Sequence, residues 1–212
     1  MPLFFLLSQF FEGFCCPGKR GANSISPPPM PVHSQYYVAV QPLRDMKLQA
    51  FTLCFWIQTQ NRGSQTILAY RTQERDNELV VTVGSAVGLW LGGHFVEFPL
   101  HHKSEEWLHY CVAWASHSGA ANLWLNGAVG REKYLQRGYM SQAGGMVVLG
   151  KDRDELLGIF SNGFSGWMSH VSLWSWVISH TDIRVLSFLD GRNVLKSMII
   201  IMQYVYSLWL CI

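Results

Sequence analysis

From Leu108 to Ala115 the residues change character at every step. Leu108, Tyr110, Val112 and Trp114 are large and apolar, and His109, Cys111, Ala113 and Ala115 stand between them. A two-residue alternation puts successive side chains on opposite faces of a pleat, so the run reads as a strand with two different faces. Phe51-Thr52-Leu53-Cys54-Phe55-Trp56-Ile57 has the same texture and also carries a cysteine. Leu123-Trp124-Leu125 is a third such run, and Asn126-Gly127 after it is a strong short-range hairpin signal. A chain organised around runs like these folds as sheets. Nine tryptophans and twelve phenylalanines agree, because aromatic side chains pack well on a pleated surface.

The β texture holds from Tyr36 to Phe188. Strands are predicted over Tyr36 to Val40, Phe51 to Thr59, Thr66 to Tyr70, Leu79 to Val83, Leu89 to Leu91 and Phe95 to Phe98. They continue over Trp107 to Ala115, Asn122 to Leu125, Met146 to Leu149 and Ser169 to Trp176. In the last, Val171, Leu173 and Ser175 oppose His170, Trp174 and Trp176. Strands at this spacing predict a sandwich or barrel and not a helix-alternating parallel sheet. One helix follows them. Ser179-His180-Thr181-Asp182 offers capping oxygens, Ile183, Val185, Leu186 and Leu189 follow at helical spacing, and Gly191 ends the run.

The two ends differ from this middle. Residues 1–35 combine a short apolar run, Leu3 to Leu7 with Phe10, Phe11 and Phe14, and a Pro27-Pro28-Pro29 linker. The apolar run has a secretory flavour but no basic residue ahead of it and no A-x-A-like cleavage site. Residues 36–197 form the expected domain. Residues 198–212 are an apolar tail, and at 15 residues they fall short of the roughly 20 that span a bilayer. A buried terminal strand and an aberrant C-terminus are the two expectations there, ahead of a membrane anchor.

Five cysteines leave at least one without a partner in the chain. Cys54 and Cys111 occupy matching strand positions. From the residues alone, a bridge between them and a pair of buried reduced thiols are equally open. A net charge of +2, with the basic residues scattered, argues against nucleic acid as a partner. No G-x-S-x-G, H-E-x-x-H, P-loop or G-x-G-x-x-G is present, so nothing points to an enzyme. His94, His101 and His102 read as a solvated loop, and the tryptophans as core.

Several motifs, in order, resemble one family. His109-x-Cys111-x-Ala113-Trp114-x-Ser116 is similar to the signature run of the pentraxins, and Gln49 to Cys54 to the strand carrying their first cysteine. Asp76-Asn77-Glu78-Leu79 resembles their first calcium loop. Leu149-Gly150-Lys151-Asp152-Arg153-Asp154 resembles the second, and Ser179 to Asp182 the start of their helix. The resemblance covers about Tyr36 to Leu195. It implies an all-β, two-sheet antiparallel jelly-roll sandwich, lectin-like, with one short helix on one face, calcium on the other, and a disulfide between Cys54 and Cys111.

Calcium takes six to eight oxygen ligands. Taken alone, Asp76-Asn77 is a turn and Asp152-x-Asp154 a solvated loop. The resemblance gives both a second reading. Asp76 and Asn77 would supply a carboxylate and an amide oxygen; Asp152 and Asp154 would add two carboxylates, with the Arg153 carbonyl between them. Asn162 stands near the position where the family has a glutamine. Asp152 replaces a longer glutamate, the following loop is shorter, and a further acidic ligand is missing, so one ion is expected and not two. Thr82 stands near the family's pocket aromatic, and no acid aligns around Phe95, which argues against phosphocholine. The expected partner is an anionic small-molecule, glycan or protein ligand held through calcium, with a homo-oligomer as a further expectation. The expected location is extracellular, either secreted or within a receptor ectodomain, where alone a membrane would enter. The rival reading is a laminin-G-like adhesion module in which calcium and the disulfide are structural.

Overall fold

The computed structural model describes residues 38–40, 42, 45–100, 106–154, 159–161, 163–188 and 206–207. The alternating runs pair as two antiparallel sheets. The first contains β1 (Val38–Val40), β3 (Gln65–Arg71), β4 (Leu79–Val83), β5 (Ala86–Leu91), β6 (His94–Pro99) and β11 (Met146–Leu149), in the spatial order β1-β11-β3-β4-β5-β6. The second contains β2 (Ala50–Gln58), β7 (Leu108–Ala115), β8 (Ala120–Leu125), β10 (Lys133–Tyr134), β14 (Trp167–Trp174) and β15 (Tyr206–Ser207), in the order β10-β8-β7-β2-β14-β15. β9 (Ala128–Val129) pairs with β8, and β12 (Asp152–Asp154) and β13 (Ile159–Ser161) form a separate hairpin. The two-sheet sandwich is the expected jelly-roll architecture.

Alternation decides what each strand contributes. Phe51, Leu53 and Phe55 of β2 and Tyr110, Val112 and Trp114 of β7 belong to the main core with Ile67, Leu79, Val81, Leu89 and Leu149. Trp114 is wholly buried, and its indole N–H donates to the Leu135 carbonyl at 3.0 Å, so the core gains its area without an unpaired donor. The opposite faces of the same strands carry Cys54, Cys111 and Ala113, which cluster with Trp124, Trp174, Ile178 and Ile183. Ile183 lies on α1 (His180–Phe188), so the helix seals the outer face of the second sheet. Its start is capped as expected: the Asp182 N–H donates to Ser179 Oγ at 3.1 Å, and Ser179 Oγ donates to the Asp182 carboxylate at 2.6 Å.

Cys54 and Cys111 face each other in the β2–β7 register, with Cα atoms 4.1 Å apart, and they are joined as a disulfide. Asn126 and Gly127, with φ of 48° and 78°, turn β8 into β9, and a Cβ on Gly127 would meet Ser187 Oγ of α1 at 2.6 Å. Glycine is required there by both backbone and space.

Three sequence expectations change. The last long strand stops at Trp174, and its pairing with β2 shifts between Ser169 and Ser172, where His170 has φ 53°. This bulge breaks the simple alternation, so Val171 and Leu173 still reach the core but Ser175 and Trp176 lie beyond the strand. Trp107 and Trp176 are 42% and 36% exposed, so the tryptophans are not all core. His101, His102, Asn162 and most of the two ends lie outside the described residues, whereas Tyr206–Ser207 pairs with Ser172 and Leu173 of β14.

Candidate functional site

The acidic residues singled out in the sequence sit on two arms flanking β3. The first is the loop between β3 and β4. Its backbone is fixed from both sides: the Thr72 N–H donates to the Arg75 carbonyl at 3.0 Å, and the Asn77 and Glu78 carbonyls accept from Gly93 and Gly92 at 3.0 and 2.9 Å. Gly92 and Gly93, with φ of 55° and 79°, form the tight turn between β5 and β6 that presents those two N–H groups. Asp76 is exposed and its carboxylate lies 3.5 Å from the Arg71 guanidinium. Asn77 is half-buried, and its carboxamide makes no hydrogen bond to another described residue.

Glu78 anchors this loop, and sequence reasoning gave it no role. Its carboxylate is fully buried. The Tyr139 hydroxyl donates to it, 2.8 and 2.9 Å from the two oxygens, the Gln142 N–H donates at 2.7 Å, and the Arg75 guanidinium lies 3.6 Å away. A buried carboxylate needs this many donors to offset its lost hydration. Burial, reinforced by the Glu78 carboxylate, pushes the Tyr139 hydroxyl up to about 12, so it stays a donor at neutral pH. The segment carrying Tyr139 is itself held: the Gly138 N–H donates to the Ser116 carbonyl at 2.8 Å and the Ser141 N–H to the Leu48 carbonyl at 3.1 Å. Tyr139 therefore links the first acidic loop to the second sheet. The only sequence signal was the glutamate following Asp76-Asn77; its partner lies 61 residues away.

The second arm is the β12–β13 hairpin. It rises from β11 where the Gly150 N–H donates to the Ile67 carbonyl at 3.0 Å and the Phe164 N–H to the Gly150 carbonyl at 2.7 Å. Asp152, Arg153 and Asp154 stand opposite Ser161, Phe160 and Ile159. Asp152 is half-buried. The register also separates the arms: the first loop follows Arg71 at the end of β3, whereas the hairpin leaves beside Ile67 near its start. β12 runs close beside β3. Asn162 is outside the described residues.

The donor set is carboxylate, carboxamide and backbone oxygen, which suits a hard divalent cation and not a soft one. Among the described residues, the one group of three His, Cys, Asp or Glu with ligand atoms near one another is Cys54, His109 and Cys111. Its sulfurs are bonded to each other, so it holds no metal. His109 is nonetheless unusual: it is buried, Nε2 lies 3.7 Å from Cys111 Sγ, and Nδ1 has no partner. Burial, with His170 nearby, holds its pKa down at about 4.

A two-sheet antiparallel sandwich, with a helix over one sheet and acidic loops on the other, is a lectin-like jelly roll. The chain matches the Pentaxin family over residues 28–205, and it belongs to that family. It is 36% identical to human serum amyloid P-component across 64% of this chain, spanning 63% of that relative's length. A heptameric SAP-like pentraxin from Limulus polyphemus shares the fold at a TM-score of 0.63 and 19% identity, covering 77% of this chain and 78% of the other. The full extracellular region of zebrafish Gpr126/Adgrg6 contains a similar fold, with a TM-score of 0.55 and 19% identity over 76% of this chain and 21% of that one. Among the described residues, no helix is long and apolar enough to cross a membrane.

Proposed function

We propose that this chain is a non-catalytic, extracellular recognition domain that binds its ligand through one calcium ion. Asp76 and Asn77 of the first loop, Asp152, the Arg153 carbonyl and Asp154 of the hairpin arm, and Asn162, which lies outside the described residues, would hold the ion. Bound there, calcium supplies open coordination positions for an oxygen anion, such as a phosphate or carboxylate on a small molecule, glycan or protein. The chain's own contribution is rigidity. Glu78, Tyr139 and the Gly92–Gly93 turn hold the first loop in one conformation, so its oxygens need little ordering when the ion arrives. That clamped loop is the observation that carries the reading.

The cross-strand disulfide fits an oxidising compartment, and hence secretion or an ectodomain. The Limulus SAP-like pentraxin of similar fold is heptameric, which supports a homo-oligomer for this chain. The similar fold within the Gpr126/Adgrg6 extracellular region favours a second reading, a monomeric adhesion module in a larger receptor. Thermal melting in calcium and in EGTA tests the binding reading. A higher melting temperature in calcium, abolished by Asp152→Ala with Asp154→Ala, is expected; equal melting in both buffers would count against it. Sedimentation of the secreted chain separates an oligomer from a monomer.

A further inference from the structure

Arg71 is the last residue of β3, where the strand hands over to the first acidic loop. Its side chain is only 7% exposed, yet its Nη2 lies 3.5 Å from Asp76 Oδ1, on a side chain that is 46% exposed. Cross-strand pairing puts Arg71 opposite Met146, on the same face of the first sheet as Ala69 and, through Val80, as Trp90 and Phe95. That is the face turned away from the main core. A guanidinium is charged at every accessible pH, so it cannot yield by losing its proton, and its burial restricts how far it can swing away. An oxygen of Asp76 cannot serve both cations at full strength.

We propose that Arg71 is a built-in counter-ion of the calcium site: it holds Asp76 when no metal is present and weakens the metal when it binds. The proposal rests on the calcium reading of Asp76 and Asn77. A calcium ion sits about 2.3–2.6 Å from its ligand oxygens. Bound to Asp76, it therefore lies only a few ångströms from the guanidinium, well inside the Debye length, so the repulsion is barely screened. The consequence is a site tuned toward weak binding, in the range of about 10⁻⁴–10⁻³ M typical of extracellular modules. The same pair keeps the exposed carboxylate in place, so the loop keeps its shape without calcium. Arg71 thus sets the threshold at which the domain becomes competent.

Calorimetric titration of calcium chloride into the full chain tests this, with wild type, R71Q and R71K compared and melting in EGTA as the check that each is folded. R71Q is expected to bind calcium at least about tenfold tighter than wild type, because one nearby positive charge is gone. R71K, which keeps the charge, is expected to stay within about threefold of wild type. Arg71→Met keeps the apolar stem and carries the same expectation if R71Q does not fold. Measurable binding by both, about tenfold or more tighter in R71Q and close to wild type in R71K, supports the proposal. Binding by wild type with no tightening in R71Q overturns the counter-ion role and leaves the calcium reading standing. No binding by either chain overturns the calcium reading, and this proposal with it.

Discussion

The two sheets of the sandwich are finished differently on their outer faces. In the second, every residue of β7 from Leu108 to Trp114 is buried, because the core covers one face and α1 with its apolar cluster covers much of the other. A disulfide then ties β7 to β2 at the centre of that sheet. In the first sheet β3 and β4 are likewise buried on both faces; exposure begins at the edge strand β6, where Phe95 is 45% accessible, no described helix lies over it, and the polar contacts gather at the strand ends around Arg71, Asp76 and Glu78. Both sheets feed the main core, but the second adds the disulfide and the helix, and the first carries the acidic loops. Tyr139 is where they meet, since it is hydrogen-bonded to Glu78 of the first while its segment is tied to Ser116 and Leu48 beside the second.

Breaking the second sheet should therefore cost most. Replacing Cys54 and Cys111 by serine releases a 57-residue loop, and denaturant unfolding should show a loss of about 4 kcal/mol on the chain-entropy account. A negligible change would show that the bridge constrains the unfolded chain little and that packing alone holds β2 to β7.

The buried His109 sharpens the contrast through pH. Unfolded, its ring titrates near 6.5; folded, burial with His170 nearby holds it down at about 4. The unfolded chain takes up the proton first, so this stability is complete above about pH 6.5 and drains away as the pH falls toward 4. The loss amounts to about 3 kcal/mol. Unfolding measured across this window should be steep for wild type and flatter for His109→Gln; identical slopes would show that His109 is not the group responsible.

Tyr139→Phe tests the link between the sheets. It removes a donor from a buried carboxylate, so a destabilisation of about 2 kcal/mol is expected, together with weaker calcium binding. Destabilisation with unchanged calcium affinity would confine Glu78 and Tyr139 to the scaffold. The smallest effect belongs to the helix: Ser179→Ala removes its cap and should cost about 1 kcal/mol by thermal melting, without altering calcium binding.

Which parts of this were legible in the sequence follows the same division. β2, β7 and β8 could be read directly, because a sheet covered differently on its two faces writes that difference as alternation: Phe51, Leu53 and Phe55 inward, Cys54 toward the helix. The bulge at His170 left no such trace, since its side chain alone does not reveal a positive φ. Trp107 and Trp176 looked like core residues because composition does not say where a strand ends. At the first loop, Asp76 and Asn77 stood out as a motif. Glu78 and Arg71 did not, because their roles come from partners that the fold supplies: Tyr139 and Gln142 from another loop, and a carboxylate at the end of β3.

Equilibrium dialysis of the chain against radiolabelled calcium counts the ions that it binds. Saturable binding of one ion per chain is expected in wild type, and its loss when Asp76 and Asn77 are both replaced by alanine in a chain that still melts cooperatively. No saturable binding by wild type, or equal binding by the two chains, would contradict the calcium reading.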